Sequence, residues 1–286
     1  MKKIFSIIVL VFSGFVFQNC KSAGSTGLDA QIISPTPTSQ TSNISEKKVE
    51  FKGVSFTYNP QIFGEVKAKE IAEQPLNLET DKPDSVAPQH TLFSLITSDK
   101  RVSTIAVYPI EEYRRVWKPV EKNNATYFNE NLINLKKLIA DKNFRRNGEV
   151  PYLPYIDGRQ TFHAKVKTAA FRSGKGVFFL TQMVQESALV DNGHLGYYFQ
   201  GISDNDRYFI LGQFSPKVSF LPDDYNGGKF EDYTMPDTIN WSKSERKKYK
   251  EYIAKITKRL EELPVEEFEP NLTYFENIIN SLKIEK

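Results

Sequence analysis

The sequence predicts an α+β fold in which a mostly antiparallel sheet is covered by helices. Apolar residues alternate with period two in a series of short segments between residues 54 and 215, as they do in strands. Gly, Asn and Asp residues suited to tight turns separate several of these segments, which favours antiparallel pairing of neighbours. Two segments near the C-terminus carry apolar residues at helical spacing instead. This combination is typical of the α+β class.

The first half of the domain contains four predicted strands and one predicted helix. The strand segments are 54–58, 66–71, 90–97 and 102–108. Residues 124–140 are predicted to be helical because apolar side chains recur there every three or four positions, at Phe128, Leu132, Leu135, Leu138 and Ile139.

A second block of four strands is predicted over 161–172, 176–185, 194–202 and 207–215. The 177–184 segment is apolar on both faces, which indicates a central strand covered on each side. The 162–171 segment places Phe162, Ala164 and Val166 on one face and His163, Lys165 and Lys167 on the other. It is therefore predicted to lie near an edge or beside a wet face of the sheet.

Two amphipathic helices are predicted to close the chain. Ser242 and Glu245 form a capping box that begins a helix over 243–262, and Pro264 ends it. One face of this helix is apolar and aromatic, at Tyr249, Tyr252, Ile253, Ile256 and Leu260. A last helix is predicted from Pro270, with a stripe of Leu272, Phe275, Ile278, Ile279 and Leu282.

The N-terminus has the pattern of a targeting signal. Lys2 and Lys3 precede a 14-residue apolar run, Ile4–Phe17, which is shorter than the roughly 20 residues a membrane-spanning helix needs. The unique cysteine, Cys20, follows this run and resembles the acylation site of bacterial lipoproteins. The resemblance implies that residues 1–19 are removed and that Cys20 carries the lipid anchor. It also implies a bacterial cell-envelope location.

Three residues near the cysteine refine that expectation. Lys21 stands where an inner-membrane retention signal would have aspartate, so the outer membrane is favoured over the inner. Gln18 and Asn19 depart from the small residues that usually precede an acylated cysteine. An ordinary signal peptide cut at another bond, or an uncleaved anchor, is therefore the alternative.

Residues 20–46 are predicted to be a lipidated cysteine followed by a flexible tether. Residues 21–46 hold ten Ser or Thr, two Pro and no aromatic residue, so they cannot bury enough apolar surface to fold. Residues 47–286 contain no second linker of this kind and no internal repeat. They are expected to form a single globular α+β domain.

Composition excludes several classes of protein. With 40% hydrophobic and 26% charged residues, the 286-residue chain is neither wholly disordered nor a multi-span membrane protein. Removing Lys2 and Lys3 from the 38 basic residues leaves 36 against 35 acidic ones, a balance that does not indicate a nucleic-acid partner. A single cysteine excludes disulfides within the chain, cysteine-based zinc sites and iron–sulfur clusters.

Motifs for metal binding and catalysis are absent from the sequence, so neither a metal nor another cofactor is expected. His90, His163 and His194 lack zinc-site spacing, and the acidic loop 222–237 fails the calcium-loop spacing. Neither a Gly-x-Ser-x-Gly elbow nor a Ser-x-x-Lys motif occurs. A catalytic triad is defined by geometry in space, so a hydrolase site built from His163 or His194 stays open.

The most specific candidate site in the sequence is a cluster of basic residues. Arg246, Lys247, Lys248 and Lys250 crowd the first turns of the 243–262 helix, where the helix dipole favours acids. One interpretation is a solvated face partnered by Glu245 and Glu251. The other is a contact surface for anionic head groups or an acidic partner. Among the many aromatics, Tyr198 is a further candidate for a binding patch if it is exposed.

Several segments carry a resemblance to known families. They are FKGVSFTYNP (51–60), VAPQHTLFSL (86–95), IAVYPIEEY (105–113), SGKGVFFLTQ (173–182) and FQGISDNDRYFI (199–210). These segments resemble an uncharacterised family of bacterial secreted proteins and lipoproteins, which implies no activity for any residue. More distantly, GVSFTY near residue 53 and the closing Ser-Leu-Lys-Ile are similar to PsbP/Mog1-like α/β/α sandwiches.

Three functions remain open at this point. The first is a lipid-anchored, non-catalytic envelope module that binds a partner protein or glycan or supports an assembly. The second is an envelope hydrolase with an unrecognised Ser/His/carboxylate site. The third is a domain that binds a small molecule or lipid in an apolar cavity among its helices and aromatics.

Overall fold

An antiparallel sheet of eight strands forms the centre of the protein, which confirms the antiparallel character predicted for the main sheet. The computed structural model describes residues 45–75, 86–118, 127–144, 149–153, 158–224, 229–236 and 240–285. These residues belong to one compact unit. The predicted signal segment 1–19, Cys20 and the predicted tether up to residue 44 lie outside the described residues.

The strands are β1 (Lys47–Phe51), β2 (Val54–Tyr58), β3 (Phe63–Ile71), β4 (His90–Thr97), β5 (Val102–Pro109), β6 (Arg159–Gln160), β7 (Ala164–Phe171), β8 (Gly174–Val184), β9 (Leu195–Ser203), β10 (Tyr208–Phe214), β11 (Lys217–Val218), β12 (Lys229–Phe230), β13 (Tyr233–Thr234), β14 (Phe268–Glu269) and β15 (Lys283–Ile284). The helices are α1 (Ile110–Trp117), α2 (Tyr127–Ala140), α3 (Lys243–Glu262) and α4 (Leu272–Ser281). The large sheet runs β3–β4–β5–β10–β9–β8–β6, and β7 also pairs with β8. Hydrogen-bonded neighbours in it are antiparallel.

Two hydrophobic cores lie on opposite faces of the large sheet. Strand β8 contributes Phe178 and Leu180 to one core and Val177 and Phe179 to the other, which confirms that both of its faces are covered. Helices α3 and α4 cover the first face together with β2 and β15. Helices α1 and α2 cover the second. The α+β fold with a helix-covered antiparallel sheet is therefore confirmed.

Helix α1 and strand β15 are among the elements that escaped prediction, together with the short strands β1, β6 and β11–β14. Helix α1 follows β5 directly, and its Ile110, Tyr113, Val116 and Trp117 are buried in the second core. The C-terminal strand β15 pairs with β2, and β1 completes this three-stranded sheet. The short C-terminal strand is held by Ser173, whose hydroxyl accepts the N–H of Ile284 at 2.9 Å.

The prediction for the faces of β7 was wrong at Val166. The pairing with β8 shifts by one residue between Ala164 and Lys167, a β-bulge in which Lys165 adopts a positive φ of 54°. Ala164 therefore belongs to the first core, whereas Val166 packs against the second. Of the two positions predicted for this strand, near an edge or beside a wet face, the edge is confirmed, because β8 is the partner of β7 among the described strands.

Candidate functional site

The candidate site is built on helix α3, and the capping box determines where that helix begins. The Ser242 hydroxyl accepts the backbone N–H of Glu245 at 3.2 Å, and the Glu245 carboxylate accepts the N–H of Ser242 at 2.6 Å. Tyr252, Ile256 and Leu260 anchor the helix in the first core. This start and this buried face place the predicted basic residues in the first two turns.

The four predicted site residues are all exposed, and α3 brings them together. Arg246 and Lys250 are separated by four residues, and Lys247 and Lys250 by three, so these side chains are neighbours on one flank of the helix. Lys248 lies on another flank, where it lines a cleft beside the β12–β13 hairpin. We call Arg246, Lys247, Lys248 and Lys250 the basic surface.

Only one residue of the basic surface has a carboxylate partner among the described residues. Lys247 Nζ lies 3.7 Å from Glu251 Oε1, and the Lys247 side chain is 79% exposed. Arg246 donates through Nε to the carbonyl of Trp241 at 3.1 Å. Within the described ranges, no carboxylate oxygen lies within 4.0 Å of the cationic groups of Arg246, Lys248 or Lys250. At ion-pair distance, the predicted interpretation as a face partnered by Glu245 and Glu251 therefore accounts for one cation of four. Glu245 is held by Ser242, and Lys248 acts on its carboxylate only through a weaker, longer-range attraction that also lowers the pKa of Glu245.

The C-terminal half of α3 is paired differently. Lys255 Nζ lies 2.7 Å from Glu231 and 3.3 Å from Asp232, and Arg259 lies 3.0 Å from Glu231. The hydrogen bonds that Lys255 donates, first to Glu231 and then to Asp232, raise its pKa. These two acids belong to the acidic loop 222–237 of the sequence analysis, and their ion pairs hold the β12–β13 hairpin against α3. Asn226 and Asp237 of that predicted loop lie outside the described residues.

The last turn of α3 also receives a cation from the sheet. The bulge at Lys165 places its ammonium group 2.7 Å from the carbonyl oxygens of Glu261 and Leu263. A cation at the C-terminus of a helix is favoured by the helix dipole, whereas cations at its N-terminus are not. The two ends of α3 thus differ in both pairing and dipole electrostatics.

An aromatic column, which sequence reasoning missed, lies between α3 and the hairpin. We give this name to Trp241, Tyr249, Tyr252 and Tyr233. The Tyr233 and Tyr252 rings stack with centroids 4.7 Å apart, and Trp241 meets Tyr249 edge-on at 5.1 Å. The spacing of Tyr249 and Tyr252 predicts a packed helix face. Nothing local indicates that Tyr233, outside the helix, completes the column.

Tyr198 is not a surface aromatic. Its ring is half-buried against the second core, stacked on Phe179 at 5.6 Å and edge-on to Tyr152 at the same distance. Burial raises the pKa of Tyr198 to about 12. The condition set for Tyr198 as part of a binding patch, that its side chain is exposed, is therefore not met.

The histidines fall in three separate places. His194 Nδ1 lies 2.9 Å from Asp191 Oδ1, and the buried Asp191 carboxylate also accepts the backbone N–H of His194 at 2.8 Å. A histidine oriented by a buried carboxylate is two-thirds of a catalytic triad. The same bonds also stabilise the turn that begins β9.

The other two histidines line open clefts. His90 Nδ1 donates to the carbonyl of Pro88 at 2.8 Å, its ring lies 4.3 Å from that of Tyr108, and burial lowers its pKa. It lines a cleft of about 480 Å³ near an ion-paired Arg115. His163 lines a groove of about 640 Å³ between β7 and α3.

The described residues contain neither a metal-binding cluster nor a membrane-spanning helix. In the part of the chain that the structure describes, no group of three or more His, Cys, Asp and Glu side chains is arranged to hold a metal ion. Among the same residues, none of the helices has both the length and the apolar character that crossing a bilayer requires.

Comparison with known proteins adds no relative. Neither a protein-family profile, nor a curated protein, nor a solved structure matches this chain.

Proposed function

We propose that this chain is a lipid-anchored binding module of the bacterial cell envelope, and that the basic surface on α3 is its contact with an anionic partner. The anchor is Cys20, and the following tether lets the domain reach a protein or glycan near the membrane. The module is non-catalytic. The outer membrane is the expected location.

The observation that carries this proposal is the pairing of α3. Cations at the start of a helix oppose its dipole, and here one of four has a carboxylate partner among the described residues. Such an arrangement does not stabilise the helix. It does supply unpaired positive charge that speeds encounter with an anionic partner and orients it.

The first test is charge reversal of the basic surface in the full-length chain, expressed with an affinity tag in its own host. Partners are recovered by cross-linking in intact cells and identified by mass spectrometry. We expect the variant with all four residues changed to Glu to lose recovery of its main partner by about tenfold or more, since each 1.4 kcal/mol of binding energy is a factor of ten. Equal recovery from both chains would contradict the proposal.

A matched control carries the same charge change elsewhere on the domain. Four exposed lysines far from α3 in the sequence are suitable: Lys67, Lys69, Lys136 and Lys175. Their change to Glu should leave partner recovery unaltered. A separate variant, Cys20→Ala, tests the anchor, and we expect it to release the chain from the membrane fraction. A membrane-retained Cys20→Ala chain would rule out acylation as the anchor.

A hydrolase is the second candidate, favoured by the Asp191–His194 pair alone. It predicts that His194→Gln abolishes a hydrolytic activity while the fold is retained. Activity-based probes for serine hydrolases, applied to the wild-type chain and to His194→Gln, test this directly. Equal labelling, or none in either chain, counts against it.

A further inference from the structure

The start of α3 carries a dense group of exposed cations. Lys243, in the first turn, is exposed and adds a fifth cation to the four of the basic surface. In the described chain, no carboxylate oxygen lies within 4.0 Å of its ammonium group. Residues 241–251 contain these five cations and two carboxylates, Glu245 and Glu251. This part of the domain is therefore strongly basic, although the whole chain has a net charge of only +3.

The carboxylates around this surface are engaged within the chain. Glu245 is held by the capping box, and Glu251 lies 3.7 Å from the nearest lysine of the basic surface. On the neighbouring hairpin, Glu231 and Asp232 both pair with Lys255. Because these acids are already partnered by cations or by backbone N–H groups, they repel an approaching anion less than free carboxylates would. The excess of positive charge is therefore available to an anion from outside the chain.

The cations stand on a convex surface. Helix α3 turns Tyr252, Ile256 and Leu260 toward the first core. At 3.6 residues per turn, Lys247 lies on the opposite side of the helix, and 79% of its side chain is exposed. Exposed lysines and arginines on a convex helix can meet several charged groups of a broad anionic surface at once. An anionic membrane is a surface of this kind.

The attachment point of the predicted tether lies on the same face of the sheet as the basic surface. Val49 and Phe51 of β1 pack against the first core, which is the core that α3 covers. The predicted tether, residues 21–46, leads directly into β1. As a random coil it has a root-mean-square reach of about 25–30 Å. An anchor at Cys20 would therefore keep α3 near the lipid head groups at high local concentration.

We propose that the basic surface, together with Lys243, docks on the anionic lipid head groups of the membrane that holds the anchor. Charge complementarity and the attachment of the tether to the same face support a lipid surface as the resting contact of this domain. The inference rests on the proposed function and adds a second occupant of the same cations, so a protein or glycan partner has to displace lipid. Each lysine or arginine near an anionic membrane favours the docked state by about a factor of five.

The test uses the processed, anchored chain, purified from its own host and reconstituted into vesicles that contain a lipid-borne quencher. A fluorescent amino acid replaces Ser244, which is exposed in the first turn of α3. One set of vesicles consists of phosphatidylcholine, and the other contains phosphatidylglycerol as well. We expect quenching in the anionic vesicles only. High salt should reduce it, because salt screens the attraction between exposed charges.

A fluorescent amino acid at Ile133 is the matched control. Ile133 is 53% exposed on α2, which covers the opposite face of the sheet, so its emission should be equal in the two kinds of vesicle. With the probe at Ser244, changing the four residues of the basic surface to Glu should lower the ratio of docked to free domain by about fivefold for each residue changed. The same charge change at the four control lysines named above should leave the quenching unaltered.

Two results would overturn the inference. One is equal quenching at Ser244 and Ile133 in the anionic vesicles, and the other is quenching at Ser244 that survives charge reversal of the basic surface. A protein partner recovered through the basic surface in cells, with no quenching in anionic vesicles, would reject lipid docking while supporting the proposed function. If neither a partner nor quenching is found, both the inference and the proposed function are contradicted.

Discussion

The two halves of α3 contain the same kinds of residue and differ in what neutralises them. In the second half, Lys255 and Arg259 meet Glu231, and Lys165 reaches the final carbonyls from the sheet. In the first half, the basic surface has one carboxylate partner among the described residues, at 3.7 Å. The rest of the fold therefore supplies carboxylates to the second half of α3, from the β12–β13 hairpin, and none at ion-pair distance to the first half among the described residues. The unpaired end is therefore the place to look for a partner outside the chain.

The largest expected effect on stability comes from a substitution in the buried face of α3, which anchors both halves of the helix. Ile256 is 1% exposed and anchors α3 in the first core. Ile256→Ala should lower the free energy of unfolding by about 2–5 kcal/mol, because a cavity opens in a packed core. Urea denaturation measures this. A loss below about 0.5 kcal/mol would mean that α3 is not anchored through this face.

The next largest effect comes from removing the N-terminal cap of α3, which should destabilise the first half of the helix and leave the second half unchanged. Ser242→Ala removes the cap and should cost about 0.5–2 kcal/mol, with fraying confined to the first turns. Hydrogen exchange should speed up at residues 243–249 and stay unchanged at 255–262, where the hairpin holds the helix. Uniform acceleration along α3 would show that the two halves open together.

A smaller effect on stability is expected from the basic surface itself. Changing its four residues to Glu places acids where the helix dipole favours them, but it also breaks one long ion pair and the Arg246–Trp241 hydrogen bond and creates like-charge pairs at 246/250 and 247/251. These contributions are small and opposed, so the melting temperature should stay close to that of the wild type, even though partner recovery falls. A clear loss of thermal stability would mean that these cations have a structural role.

The smallest effect is a dependence on pH at the start of α3. Hydrogen bonds to Ser242 lower the pKa of Glu245 below its ordinary value of 4.5. Because the folded pKa is the lower one, this carboxylate stabilises the helix above pH 4.5, and its contribution is lost as the pH falls through the folded pKa. Hydrogen exchange at residues 243–249 should accelerate on acidification below about pH 4.5. Glu245→Gln should abolish that dependence, and an unchanged acid profile in this variant would assign the effect to other groups.

The sequence predicts the start of α3 well because a capping box is a local signal, in which Ser242 and Glu245 are three residues apart. Period-two alternation likewise located β2–β5 and β7–β10. The alternation assigned Val166 to the wrong face of the sheet, because a β-bulge at Lys165 shifts the residues that follow it to the opposite face. The bulge requires a positive φ at Lys165, and a lysine in the sequence does not indicate that conformation. Helix α1 was missed although Ile110, Tyr113 and Val116 recur every three residues, because eight residues following a strand give a weak periodic signal.

The basic surface could be predicted from the sequence, but its lack of partners could not. Glu231 lies 24 residues before Lys255, and only the folded hairpin brings them within 2.7 Å. The hydroxyl of Tyr233, which is buried without a hydrogen-bond partner among the described residues, is likewise a property of packing, since a tyrosine in a short hairpin carries no sign of it. Whether a charged or polar group finds a partner depends on residues that are distant in the sequence. Helix caps and strand alternation depend on neighbouring residues, and the sequence therefore predicts them.

The central claim is that the first half of α3 meets a partner and the second half does not. The most direct measurement is site-specific photo-cross-linking in intact cells from two exposed positions on this helix, Lys250 in the first half and Lys258 in the second. Lys258 pairs with Glu262 at 3.8 Å, so it provides a matched lysine with a partner within the chain. Our account predicts a dominant adduct from position 250 and none above background from 258. Adducts of equal yield from both positions, or from 258 alone, would contradict it.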